Sequence, residues 1–211
     1  MMLINGLNGG LTGFVDALIA FLIIVLVCLP IHEFGHAWAA VKMGDTLPLV
    51  QGRYTINPRR HLDVMGTLLL ALVGFGWAKP VQINPYALRL APNPRAGLIV
   101  AAAAGPAMNV VLAVVAAILF RLNASTLRLP LAADVLWLVT YINMGLVVFN
   151  LIPIPPLDGS RILYMLLPAR YDNITATLNQ YGPFILLAVV LLAGALITSV
   201  TFTLTRLLLG V

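Results

Sequence analysis

Long apolar runs alternate along this chain with short polar connections rich in proline. Four of the runs, Phe14–Val41, Ala96–Phe120, Leu131–Leu151 and Tyr181–Leu208, are long enough at about 1.5 Å per residue to cross a hydrocarbon core of about 30 Å. They predict four spanning helices. A fifth run, Val64–Ala78, is short for a crossing and is broken by Gly66, Gly74 and Gly76, which predicts a re-entrant segment. Between the first and fifth runs, LPLV and RYTI flank Gln51 and Gly52 in the manner of a short hairpin, and a further extended piece is expected at Val81–Ile83. The predicted fold is therefore an all-α polytopic membrane protein, a helical bundle with a re-entrant segment and a small membrane-associated β-hairpin or sheet.

Composition strengthens this picture. Of the 211 residues, 61% are hydrophobic and 9% charged, against about 45–50% and 25% in soluble domains. A soluble enzyme is excluded. The net charge of +5 comes from arginines scattered through loops, so it reads as topology signal and argues against a nucleic-acid partner. The N-terminal stretch has no basic segment before its apolar run, which predicts a retained anchor and not a discarded leader. No transit-peptide composition appears, and a prokaryotic inner membrane is the simplest setting. One domain is expected over 1–211, with a catalytic core at about 14–167 and a C-terminal spanning helix at about 181–208.

The first span carries the candidate chemistry. Its segment IHEFGHAWAA sets His32 and His36 four residues apart, about 40° apart on one helix face and separated by about 6 Å of rise. Both imidazoles can reach a single metal ion. Glu33 projects beside them, completing the pattern in which two histidines hold zinc and the glutamate moves a proton of the attacking water. The chain has only three histidines and one glutamate, and ionisable groups inside a span are costly enough to be functional candidates. The third histidine, His61, lies in a basic, proline-bounded loop, which favours an interfacial structural role over that of a third metal ligand. Cys28, one turn before His32 on the same face, is either a group near the metal or, the favoured reading, a small residue packed in the bundle. Asn109 is the lone polar side chain of the second span, suited to an interhelical hydrogen bond or a substrate contact, and Asn143 and Asn150 lie in the third. In IPIPPLDGSRIL the prolines end any regular helix, and Asp158 is either a metal ligand or a turn aspartate opening a new helix.

Taken together, HEFGH, AGPAMN and NLIPIPPLDG, with RHLDVMG and FGWAKPVQINP between them, resemble the site-2 protease family of intramembrane zinc metalloproteases. The resemblance covers Val25 to about Leu167. It implies that His32, His36 and Asp158 bind Zn2+, that Glu33 is the catalytic acid/base, and that Asn150 faces the reacting carbonyl. It also implies substrates that are single-span membrane proteins, such as anti-sigma-factor-like regulators or signal-peptide remnants, met within the lipid bilayer. Extended pieces near Leu49–Ile56 or Val81–Ile83 are expected to pair with an unwound substrate strand. The 211 residues contain neither the PDZ nor the CBS domain of larger members, and Val64 stands where the family usually has proline. Two other functions share these residues: a metal transporter, which needs a chain of polar groups through the span, and an inactive scaffold, which would have lost Glu33 or a ligand.

The basic loop holding Lys42, Arg53, Arg59 and Arg60 places the end of the first span, and the candidate site, toward the cytoplasm. A shared metal site then requires four crossings plus the re-entrant segment, with the N-terminus outside.

Overall fold

The computed structural model describes residues 10–73, 76–168 and 172–211. Residues 1–9, Gly74 and Arg170, on which some of the sequence expectations fall, lie outside them. Among the described residues, four helices are long and apolar enough to cross a membrane, and the protein is an integral membrane protein.

The first of these, α1 (Gly10–Lys42), is one continuous coil that widens at Ile24–Cys28 into a π-turn, with Leu29 N–H bonded to Ile24 O. Pro30 follows at once and lacks the N–H that a regular coil needs, so a wider turn just before it accommodates the missing donor.

The connection after α1 contains no hairpin. LPLV instead forms the helical turn α2 (Leu47–Val50), and the described residues contain no strand. The physical reason is Pro48, which cannot donate to a β-ladder but suits the first positions of a helix. Gly52, at φ +64°, then ends that turn, with Arg53 N–H bonded to Pro48 O at 2.8 Å. Asp45 opens the turn by accepting from Leu47 N–H at 2.9 Å. Val81–Ile83 is likewise irregular.

A second short helix, α3 (Pro58–His61), leads into α4 (Val64–Val73), whose ten residues span about 15 Å, half of a hydrocarbon core. The chain then comes back to where it began. Leu62 and Ala78 form an isolated antiparallel bridge, and Lys79 N–H bonds to His61 O at 2.7 Å. The two limbs touch backbone to backbone: a Cβ on Gly66 would lie 2.2 Å from Trp77 O, and one on Gly76 only 2.1 Å from Gly66 O. Glycine is required at both positions because any side chain would force the limbs apart.

The returning limb is fastened to the end of α1. Asn84 N–H bonds to Asp45 Oδ2 at 2.7 Å, and Leu90 N–H to Met43 O at 3.0 Å. Helix α5 (Pro94–Leu122) begins beside this point, capped by the Asn93 side chain on Ala96 N–H. It is the central element, packed on α1, α6 (Pro130–Asn150), α7 (Asp158–Leu166) and α8 (Asp172–Leu209). Its buried positions are nearly all small, among them Gly97, Ala101, Ala102, Gly105, Ala113 and Ala117, which is what close packing of helices in lipid needs. Gly35 of α1 meets this seam so closely that a Cβ there would lie 2.5 Å from Ala104 O. At the far end of α5, Arg121 donates to the carbonyls of Leu208 and Leu209, so the C-terminal ends of α5 and α8 lie together.

Candidate metal centre

α1 and α5 run antiparallel across the site, and three positions of α5 spaced four apart meet the two histidines of α1. Ala101 O receives His36 Nδ1 at 2.7 Å, and Asn109 Oδ1 lies 2.6 Å from His32 Nδ1. Between them Gly105 leaves room for both rings, since a Cβ there would fall 2.3 Å from His36 Nε2 and 2.9 Å from His32 Cε1. Pro106 lacks the N–H that would bond Ala102 O and so loosens the turn of α5 that faces His36.

Asp158 arrives from the other side. After α6 ends, Pro153, Pro155 and Pro156 keep the chain out of a helix until α7 starts at Asp158. The chain doubles back so tightly there that a Cβ on Gly159 would lie 2.3 Å from Leu151 O. Only glycine fits after the aspartate.

These elements bring His32, His36 and Asp158 together as a buried group whose ligand atoms lie within 4.8 Å of one another. His32 Nε2 and His36 Nε2 are 3.1 Å apart, and Asp158 Oδ2 is 3.2 Å from the first and 3.3 Å from the second. With both Nδ1 atoms facing oxygen acceptors, the two Nε2 atoms and a carboxylate oxygen converge on one point. Only a cation holds such a cluster together. The spacing fits a metal: bonds of about 2.0–2.1 Å in a tetrahedral site give donor separations of about 3.3 Å. Asp158 Oδ2 is buried without another hydrogen-bond partner, and a two-histidine, one-carboxylate set is suited to zinc.

The remaining candidates are placed as follows. Glu33 is buried, and its Oε2 accepts from Val81 N–H at 3.1 Å, which ties it to the returning limb. Asn150, in the last turn of α6, donates Nδ2–H to Leu146 O at 2.9 Å. His61 is buried among the connections and donates Nε2–H to Thr55 O at 2.6 Å, apart from the donor cluster. Cys28 also stands outside the donor set; its Sγ accepts from Asn143 Nδ2 at 3.3 Å. Sequence reasoning did not find the roles of Ala101, Gly105 and Val81. The four-residue spacing of Ala101, Gly105 and Asn109 along one helix was the available signal.

Spanning helices wrapped around a buried two-histidine, one-aspartate centre with an adjacent glutamate define a membrane-embedded metallopeptidase. The chain belongs to peptidase family M50, which it matches over residues 20–132 and 124–193, and the resemblance to site-2 proteases is borne out. It is 37% identical over 173 residues to the candidate zinc metalloprotease YwhC of Bacillus subtilis, covering 79% of this chain and 78% of that one. It is 32% identical over 172 residues to the candidate zinc metalloprotease Rip2 of Mycobacterium tuberculosis and 30% over 177 residues to Rip2 of Mycolicibacterium smegmatis. The aligned part covers 79% and 81% of this chain but only 64% and 66% of those relatives. No solved structure matches the chain significantly.

Proposed function

We propose that the protein is an intramembrane zinc metalloendopeptidase that hydrolyses peptide bonds in or near the spanning segments of membrane-anchored proteins. The observation that carries this reading is the depth of the donor set. His32 lies ten residues from Lys42 at the end of a spanning helix, about 15 Å along its axis and near the middle of a bilayer core. A soluble substrate has little access to that depth. The relatives named as zinc metalloproteases and the donor chemistry agree on the ion.

His32, His36 and Asp158 would hold it. Zinc bound by three protein ligands supplies a Lewis acid with a fourth position open, bringing the pKa of a water there to about 7. Glu33 moves the protons. Val81 N–H fixes one carboxylate oxygen, leaving the other to accept a proton from the attacking water and return it to the leaving amide nitrogen. Asn150 is assigned to the carbonyl oxygen that gains negative charge: one of its amide protons is held by Leu146 O, and the second is free to donate to it.

The limb that binds Glu33 also forms one wall of an open cleft of about 550 Å³, lined by Leu47, Val81, Ile83, Leu98 and Tyr164 among others. Its apolar walls suit the side chains of a locally unwound membrane segment, laid along Val81–Ile83 by main-chain hydrogen bonds. The setting we assign is a prokaryotic inner membrane with the site toward the cytoplasm. There single-span regulators or signal-peptide remnants are the substrates, and the process is regulated intramembrane proteolysis.

The test combines zinc analysis of the purified protein with cleavage of a single-span substrate. Glu33→Gln is expected to keep one zinc per chain and lose turnover by about 10²–10⁴-fold, whereas His36→Ala loses the zinc. Full activity in Glu33→Gln overturns the mechanism. Preferential cleavage of a water-soluble peptide over the membrane substrate overturns the substrate assignment.

A further inference from the structure

The contact between His32 and Asn109 is the start of a longer relay. Asn109 Nδ2 reaches Asn143 Oδ1 at 2.7 Å, and Asn143 Nδ2 reaches Val139 O at 2.8 Å and Cys28 Sγ at 3.3 Å. Both asparagines are 0% exposed, so these contacts are shielded from bulk solvent. The two ends of an amide side chain are alike in shape, and packing alone does not decide which end is oxygen; the hydrogen-bond partners decide. Here the decision runs in one direction. Val139 O can only accept, so Asn143 turns Nδ2 to it and faces Asn109 with Oδ1. Asn109 must then offer Nδ2 to Asn143 and Oδ1 to His32. An amide oxygen also only accepts, so the hydrogen resides on His32 Nδ1 and the lone pair of Nε2 points at Asp158 and His36.

His36 needs no such relay, because its Nδ1 meets the Ala101 carbonyl, which cannot turn over. The two histidines are thus fixed by different devices, one by backbone and one by a side chain that must itself be oriented.

We propose that Asn143 is a positioning residue for the metal centre: by locking the amide of Asn109 it holds His32 in the tautomer whose Nε2 can take a metal ion. The inference rests on His32 being a zinc ligand. Without Asn143, Asn109 is free to turn Nδ2 toward His32. Nδ1 then becomes the acceptor, the hydrogen moves to Nε2, and the lone pair facing the donor cluster is lost. Removing a partner behind a metal ligand weakens metal binding by typically about 10–100-fold.

The test uses the full chain in detergent, stripped of zinc by a chelator, with zinc affinity read by competition against a chromophoric chelator. Histidine tautomers are read from long-range ¹H–¹⁵N spectra of the zinc-free protein. Asn143→Leu should weaken zinc by about 10–100-fold and show His32 with its hydrogen on Nε2. Adding Asn109→Asp should return the affinity to within a few-fold of wild type, because a carboxylate accepts from His32 Nδ1–H whichever way it turns. Loss without rescue means that Asn143 acts by packing alone, and wild-type affinity in Asn143→Leu means that it has no role; either overturns the proposal. The unsubstituted protein provides a check that needs no variant: a His32 ring carrying hydrogen on Nε2 alone also overturns it. His32→Ala separates the two levels. If it leaves zinc affinity unchanged, the ligand assignment itself fails; if it loses zinc while Asn143→Leu does not, only the relay fails.

Discussion

A single methyl group is enough to test the metal centre, because Gly105 sits where a side chain would meet both imidazoles. Alanine is the better helix former, by about 1 kcal/mol in a helix interior, so Gly105→Ala should leave α5 intact. Its Cβ would nevertheless fall 2.3 Å from His36 Nε2, closer than van der Waals contact allows, and at least one ring must turn away. We expect Gly105→Ala to lose zinc and activity while keeping a helical circular dichroism spectrum and wild-type elution in detergent; retained zinc would mean that the rings do not stand where the structure has them. Asn150 asks a different question at the same scale. It does not titrate and is not among the clustered metal donors, so a role on the oxyanion affects turnover and not binding. Asn150→Ala should lower kcat by about 100-fold or more with KM little changed. An effect confined to KM would return Asn150 to the structural role of capping the end of α6 through Leu146 O.

At the scale of elements, the buried connection between α1 and α4 carries a pH dependence of its own. Burial pushes the His61 imidazole below its ordinary pKa; the Thr55 carbonyl and Glu33 oppose that, and Arg53 adds to it. The unfolded chain therefore takes up the proton first, at about pH 6.5. Stability from this site is present above about pH 6.5 and is lost as the pH falls from there toward the lowered folded value. The melting temperature in detergent should decline over that interval, and His61→Gln, which can still donate to Thr55 O, should flatten the decline; equal slopes would remove His61 from the account. This connection is also where sequence and structure part. The long apolar runs were legible because a span must be apolar throughout, and HEFGH because metal ligation fixes its spacing. Leu47–Ile56 was not legible, since alternating apolar residues fit a strand as well as a helical turn, and the position of Pro48 decided between them only once Asp45 and Gly52 were seen to open and close the turn. The start of the last helix was not legible either: the apolar run that predicts it opens at Tyr181, yet α8 starts at Asp172, in a stretch whose mixed composition carries no membrane signal. Asp158 could be read two ways from its own segment; the fold favours both, since it opens α7 and also joins the histidines.

For the whole molecule, one metal site shared by α1 and α7 constrains how the chain crosses the bilayer. Were Val64–Ala78 to cross, α6 would end on the far side from the end of α1, and Asp158 could not reach His32. The antiparallel bridge between Leu62 and Ala78 and the bonds from Asn84 and Leu90 to Asp45 and Met43 instead gather both connections at one end of α1. Arg121 and the C-terminal end of α8 share the opposite end of the bundle. The charges sort the same way. Among the described residues, Lys42, Arg53, Arg59, Arg60, Lys79, Arg89, Arg95 and Arg161 belong to the first end, and Arg121, Arg128 and Arg206 to the second. On the positive-inside rule we expect the first end to face the cytoplasm, with four crossings, one re-entrant segment and an external N-terminus. Single cysteines in a Cys28→Ser background test this at Ile56, Leu90 and Ser125, all exposed on the protein. In right-side-out vesicles a membrane-impermeant maleimide should label position 125 and spare 56 and 90, and inverted vesicles should give the reverse. Labelling of 56 and 90 from opposite sides would mean that the α4 segment crosses, and α1 and α7 could then no longer meet at one metal ion.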